Sequence, residues 1–542
     1  MKHLGLSPAA TLGALALAVG LAGLVPVATT AGNASSTAPP RAQARAGDPA
    51  LRLAVRAVGG PQALRGLRSF RYMASGSRWI YDEGFRPGEP AKPSATFTEQ
   101  VRYALGAPNM VRVDAVRTSS GADRPVHEVI DGRRGFIRGV DANFSTAATK
   151  PMTGDRGAAI REELALLNPH VLLKQALRHP RMARDGGTQA INGHRFRVLV
   201  LRHAVAPVRL FINPTTGRLA RLRTMQHDYL RRDVMVEVRY ARWSPAGAGL
   251  RFPRTVALWS DGQRLHRELR PAGQLAANPR LRAAAFRIPA SVKAPRFGAR
   301  LSMIGQKTSE WLMSFANLGF IKDGPATEIV PRVVAPGSTL IQGIANQTMI
   351  VEQQDGIVVV EGALSSPRAE ALIDYIEATY PGKPIRYVTG SHHHADHSGG
   401  MRPFVALGAR PVVHEAAVPF FEQVFAARGS RLLPDRLDDS DAAANILAVP
   451  ATGAVTLDDP VRPVMVLAEP TDHATTTILV YVPSEGVLFV NGDTYTPANP
   501  PAAGARTLDQ TIRANGLTVN WIVGGHGGVI SYADFQTAIA TP

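Results

Sequence analysis

The chain has 542 residues and no cysteine, with 61 lysines and arginines against 43 aspartates and glutamates, a formal net charge of +18. A single domain typically takes roughly 100–200 residues, so at least two domains are expected. The lack of cysteine excludes structural disulfides, a lipid-anchored amino-terminal cysteine and thiolate metal ligands.

At the amino terminus, Lys2 and His3 precede an apolar run from about Leu12 to Ala28 and the small residues Thr29-Thr30-Ala31. This is the pattern of a signal peptide over residues 1–31, and it predicts a periplasmic or secreted protein. An uncleaved membrane anchor is the alternative, because the positive region holds a single lysine. Residues 32–49, rich in Ala, Ser, Pro and Thr, read as a disordered spacer.

Residues 50–289 read as a basic, mainly antiparallel β domain. Its clearest part is a meander of His194–His203, Val208–Ile212, a turn at Asn213–Gly217, Leu219–Thr224 and Val234–Trp243. Apolar and basic residues alternate in Leu219–Arg223 and Val236–Tyr240, which predicts one buried face and one wet, cationic face. A helical interruption is expected near Ala158–Leu177. The histidines of this region (127, 170, 179, 194, 203, 227 and 266) stand singly and read as surface or core residues. Residues 290–324 read as a linker, with a helix over Met303–Leu318.

Charge divides the chain at the same place, roughly +28 before residue 322 and roughly −10 from there on. A cationic sheet in an exported protein points to contact with an anionic envelope surface, such as lipid headgroups or acidic polysaccharide. Arginine-rich coding composition on a solvated face is the plainer reading. Nucleic acid is not expected, given the export pattern and the absence of interleaved aromatics. Oligomeric state is not legible.

From residue 325 to 542 strands and helices alternate. Strand-like runs at Met349–Glu352 and Ile357–Glu361 precede a helix near Arg368–Thr379, a strand at Ile385–Thr389 and another at Pro411–Glu415. Between the last two lies Ser391–Gly400, which puts four imidazoles, three of them at metal-ligand spacing, and a carboxylate within six residues. In an extended loop, side chains at i and i+2 point the same way. His392 and His394 can then share one metal while Asp396 and His397 turn toward a second, with Gly399-Gly400 allowing a tight turn into a helix. Imidazole and carboxylate suit zinc, with iron and manganese also compatible. His393 and His414 read as structural histidines. Further on stand His473, Asp493 in Val490-Asn491-Gly492-Asp493, and His526 in Gly524-Gly525-His526-Gly527-Gly528.

In this order the segments resemble the ligand motifs of the metallo-β-lactamase superfamily, over roughly residues 325–540. Asp493 stands where some zinc β-lactamases carry a metal-binding cysteine, so the metal site is similar to the glyoxalase II and lactonase branches. The resemblance implies an α/β fold, a four-layer αβ/βα sandwich with the metals at one edge of its two sheets. It implies that His392, His394 and His473 hold one metal, that Asp396, His397 and His526 hold the other, and that Asp493 bridges them. Two zinc ions would make the protein a metal-dependent hydrolase, attacking a small acyl substrate (ester, lactone or β-lactam type) with a bridging hydroxide. Asp396 would orient that hydroxide and relay its proton. Thr494 and Tyr495 are candidates for substrate contact. The segment Arg431–Asp459 is either a pocket loop or a connector. Two other classes stay open: iron-dependent oxidation of sulfur compounds through His392, His473 and Asp493, and a non-catalytic envelope-binding protein. The substrate itself is not readable, because pocket loops carry no motif.

Overall fold

The computed structural model describes residues 49–81, 83–141, 146–297, 327–343, 346–492, 495–496 and 502–540. The expected signal peptide, nearly all of the spacer and the helix expected over Met303–Leu318 lie outside these residues.

Between Ser69 and Ala277, fourteen strands form one sheet. Strand Ser69–Ile80 lies in its middle, antiparallel to Lys92–Ala104 on one side and to Gln263–Leu269 on the other. From there two meanders run outward to Ala148–Pro151 and to Ala183–Ile191. The expected meander is present, with His194–Leu201, Val208–Ile212, Leu219–Asp228 and Arg232–Pro245 as successive antiparallel neighbours. Alternation works as predicted on one face, where Leu222, Val236 and Val238 are fully buried. The opposite face is less bare than its sequence implies. Arg221, Arg223 and Arg239 all converge on Glu237, so much of the local positive charge is neutralised within the sheet.

Two helices fill the sheet's interior side, where one interruption was expected: Gly154–Leu167 and His170–Arg178. Thr153 caps the first by accepting from the Arg156 amide at 3.1 Å. It ends at Asn168, which precedes Pro169 and is pushed out of the helical region to φ −128°, ψ 82°. The first helix buries nearly its whole circumference, including Ala158, Ile160, Leu164 and Leu167, as a core helix must. Its Arg156 is fully buried and ion-paired with Glu128 and Asp141. The lone histidines resolve accordingly. His170 stacks on Phe252 with centroids 3.6 Å apart, donates to the Arg251 carbonyl, and is pushed down to about 3 by burial.

The C-terminal region contains a seven-stranded sheet from Val330 to Val449 and a six-stranded sheet from Ala454 to Ser531. The inner strands of each sheet are buried on both faces, and strand Ile357–Val360 shows how. Val358 and Val360 join Val466, Val480 and Phe489 of the other sheet in the inter-sheet core. Ile357 and Val359 point the other way, into the cluster that holds Leu372, Ile373 and Ile376 of helix Ser366–Thr379. On the far side, Leu508, Ile512 and Phe535 of helices Ala502–Ala514 and Tyr532–Ala540 pack on Leu479, Leu488 and Ile522. Helix, sheet, sheet and helix are the four layers the resemblance implied. Each buried aliphatic side chain contributes about 1.5–3 kcal/mol.

The sheet region and the sandwich pack into one compact unit. Arg232, the first residue of strand Arg232–Pro245 at φ 71°, inserts into the sandwich and pairs with Asp435 and Asp438, which also bind Arg402. Ser430 Oγ and the Arg431 amide donate to Asp233 at 2.7 and 2.8 Å. The start of the Arg431–Asp459 segment is therefore a connector docked on the sheet. Among the described residues, no helix is long and apolar enough to cross a membrane.

Candidate metal centre

Strand Ile385–Thr389 runs parallel to Ile357–Val360 and delivers Ser391–His394 to the carboxyl edge of the sheet. The segment is not extended throughout, as expected from sequence. Ala395–Ser398 is a helical turn, so Asp396 and His397 leave the backbone on a helix while His392 and His394 leave it on the bend before. Gly399 and Gly400 are needed for a different reason from a left-handed turn. Gly399 has φ −64°, open to any residue, but a Cβ there would lie 2.4 Å from the Leu364 carbonyl oxygen. The motif is pressed against the backbone of residues 362–365.

Two groups of donor atoms result. His392, His394 and His473 form one, Asp396, His397 and His526 the other, and within each the donor atoms lie within 4.8 Å of one another. His473 Nε2 is 3.2 Å from His392 Nε2 and 3.0 Å from His394 Nδ1. Asp396 Oδ2 is 3.5 Å from His397 Nε2 and 3.8 Å from His526 Nε2. Gly492 holds the last histidine in place: its φ is +90°, and a Cβ there would lie 2.4 Å from the His526 amide nitrogen.

The hydrogen bonds on the outer sides of the rings decide which nitrogens face inward. His397 Nδ1 lies 2.7 Å from Glu361 Oε1, a carboxylate that accepts, so Nδ1 carries the proton and Nε2 presents its lone pair. His394 Nε2 donates to the Gly84 carbonyl at 2.8 Å, which leaves Nδ1 facing His473. His392 Nδ1 lies 3.2 Å from Ser391 Oγ, leaving Nε2 inward. Burial first, and then the neighbouring imidazoles, hold His392 well below the ordinary histidine range. Imidazole nitrogens and a carboxylate oxygen converging in this way form a donor set that suits a cation. Asp396 adds to the fit. Its Oδ2 accepts from Asn346 Nδ2 at 3.1 Å, while its buried Oδ1 has no hydrogen-bond partner among the described residues.

The other expected residues fall as follows. Asp493 and Thr494 lie outside the described residues. Tyr495, a candidate for substrate contact, is instead a core residue: 1% exposed, it packs edge-on against Phe535 with centroids 5.0 Å apart. Burial pushes its hydroxyl up to about 12. His393 turns to Thr476 Oγ1 at 2.7 Å and belongs to neither donor group. His414 Nδ1 accepts from the Ala416 amide and caps the following helical turn.

Sequence reading missed four residues. Glu361, fully buried, accepts from His397 and Ser391 and sits at φ +72°, a left-handed conformation rare for a glutamate. Burial raises its carboxyl above the ordinary range, against the opposing pull of His397. Asn346 holds Asp396. Glu83 and Gly84 arrive from the N-terminal sheet, with Glu83 Oε2 3.3 Å from His394 Nδ1. Only Glu361 left a trace in the sequence, as the one charge ending an apolar strand.

Residues 341–513 match the family described as the metallo-beta-lactamase superfamily. No curated protein matches the chain. Solved structures that resemble it include a flavodiiron protein from Giardia intestinalis, at 16% identity and TM-score 0.30, over 39% of this chain and 58% of that one. A metallo-beta-lactamase from Pontibacter korlensis matches at 14% identity and TM-score 0.30, over 39% of this chain and 98% of that one. An inverting sec-alkylsulfatase from Pseudomonas sp. matches at 17% identity and TM-score 0.29, over 39% and 40%. The chain thus spans little more than half of the flavodiiron protein and well under half of the alkylsulfatase.

Proposed function

We propose, proceeding from a C-terminal region of the metallo-β-lactamase superfamily, that the protein is an exported, zinc-dependent hydrolase of a small acyl substrate of ester, lactone or β-lactam type. The observation that supports this most is the pair of adjacent donor groups, one of three histidines and one of two histidines and a carboxylate. His392, His394 and His473 would hold one zinc ion and Asp396, His397 and His526 the other, with Asp493 shared. Two zinc ions would supply Lewis acidity toward a carbonyl oxygen and an activated water at neutral pH.

The chain's own residues do the rest. Asn346 fixes Asp396 through Oδ2, leaving Oδ1 to accept a hydrogen bond from the attacking water and afterwards its proton. Glu361 and Ser391 hold His397 in one tautomer and one orientation. The basic sheet would face an anionic envelope surface, through arginines other than those already spent on Glu237.

The iron-dependent reading requires only His392, His473 and Asp493. It gives no role to the second donor group or to Glu361 behind it, and this favours hydrolysis. Metal analysis separates the two: about two zinc ions per chain are expected, whereas one iron with oxygen uptake would overturn the proposal. Hydrolysis is then screened across lactones, chromogenic β-lactams, aryl esters and phosphodiesters, with and without a chelator. Asp396→Ala should lose far more turnover than metal, and near-normal turnover at full metal loading would remove Asp396 from its role.

A further inference from the structure

The loop between strands Ser69–Ile80 and Lys92–Ala104 belongs to the N-terminal sheet, yet it ends among the imidazoles. Three contacts fix it there. The Gly84 carbonyl accepts from His394 Nε2 at 2.8 Å, and the Phe85 carbonyl accepts from the Thr475 amide at 2.8 Å and from Thr475 Oγ1 at 3.1 Å. Within the loop, Glu89 Oε2 accepts from the Phe85 amide at 2.8 Å, and Gly84 packs so closely on Glu89 that a Cβ would lie 2.7 Å from that side chain. The loop is thus shaped by its own residues and bonded on both sides of the site.

Glu83 lies at the inner end of this loop, with its side chain 13% exposed. Its carboxylate, His394 and Asp396 form a third set of donor atoms within 4.8 Å of one another, a set that draws one member from each of the two groups already described. The tautomer of His394 gives this proximity its meaning. A carbonyl oxygen can only accept, so the Gly84 contact places the proton of the neutral ring on Nε2. Nδ1 then carries a lone pair, and it faces both His473 Nε2 at 3.0 Å and Glu83 Oε2 at 3.3 Å. With the ring neutral, the His394 Nδ1 lone pair and the Glu83 carboxylate oxygen, 3.3 Å apart, are an arrangement that a cation between them would stabilise.

We propose that Glu83 is a metal ligand of this centre, a carboxylate supplied by the N-terminal sheet between the two donor groups. The proposal rests on the reading that those groups hold metal. It adds one negative charge to a site whose carboxylates otherwise come only from the sandwich, and it makes the sheet part of the metal-binding unit.

The test uses the full chain, as wild type, Glu83→Gln, Glu83→Asp and His392→Ala. Zinc retention is measured against a graded chelator, and the absorption spectrum is recorded after cobalt(II) replacement. Glu83→Gln keeps the side chain's size but not its charge. It should weaken retention of one equivalent about 10–100-fold and shift the cobalt bands, while Glu83→Asp recovers part of the affinity. Melting of the metal-free proteins checks that the variants fold. Should Glu83→Gln fail to fold, the shortened carboxylate of Glu83→Asp must still move the cobalt bands. Unchanged retention and unchanged bands in Glu83→Gln, with His392→Ala losing metal, would overturn the role of Glu83 alone. A wild-type chain that binds no zinc or cobalt would overturn the metal-centre reading itself, and this proposal with it.

Discussion

Arg232→Met tests whether the sheet and the sandwich are held together by a buried ion network. The Arg232 side chain is 4% exposed, and its guanidinium meets Asp435 Oδ2 at 3.3 Å, Asp438 Oδ2 more closely, and the Leu433 carbonyl at 3.0 Å. Asp435 also accepts from Arg402 Nε at 2.8 Å and from Ser366 Oγ at 3.1 Å. Burial works to raise the Asp435 carboxyl, but Arg402 and Arg232 outweigh it and hold the group below its ordinary value. Removing Arg232 leaves two buried carboxylates sharing one arginine. Breaking such a network from one side costs about 3–5 kcal/mol. At about 2–4 °C per kcal/mol for regions of this size, the melting temperature should fall by roughly 6–20 °C. Differential scanning calorimetry at neutral pH reads this directly. The loss should persist in high salt, because buried pairs are little screened. A fall of less than 2 °C, or one that disappears in 1 M salt, would refute the reasoning.

Three further outcomes are expected. Glu361→Leu should weaken metal retention about 10–100-fold, since it removes the acceptor that orients His397, and chelator titration measures it. Gly492→Ala forces a Cβ to 2.4 Å from the His526 amide nitrogen at φ +90°; thermal melting should show destabilisation, and metal analysis a loss confined to the group containing His526. Glu469 is buried and pushed up to about 8 from an ordinary 4.5 by desolvation. The folded state therefore holds this proton where the unfolded chain has lost it. Stability from this group is complete below about pH 4.5, falls as pH rises toward 8 by up to about 1.4 kcal/mol per unit, and is level above. Denaturant titrations of Glu469→Gln should show a flatter profile in that window, and an unchanged slope would count against the burial argument.

The six residues of the two donor groups could be picked out as candidates because their motifs are local, each lying in a run of a few residues with its own spacing. The sandwich was legible because strands such as Ile357–Val360 are apolar on both faces. What stayed hidden depends on distance along the chain. Asn346 lies 50 residues from Asp396, Glu361 lies 36 from His397, and nothing in the pattern around Glu83 marks it as a neighbour of His394. Tyr495 was misplaced because adjacency to Asp493 in sequence says nothing about the next side chain's direction, and Phe535 takes it into the core. The cationic sheet face was overestimated because Glu237 is one residue among many arginines, yet pairing brings three of them to it.

The hydrogen bond from His394 to Gly84 joins residues 310 positions apart. A chain made from its amino end completes the sheet's hairpin long before the imidazoles that will meet it exist. Closing so long a loop is slow relative to local pairing, so this contact is expected to form after the pairing within each region. A shortened protein beginning at the sandwich would lack both Glu83 and the Gly84 carbonyl that accepts from His394.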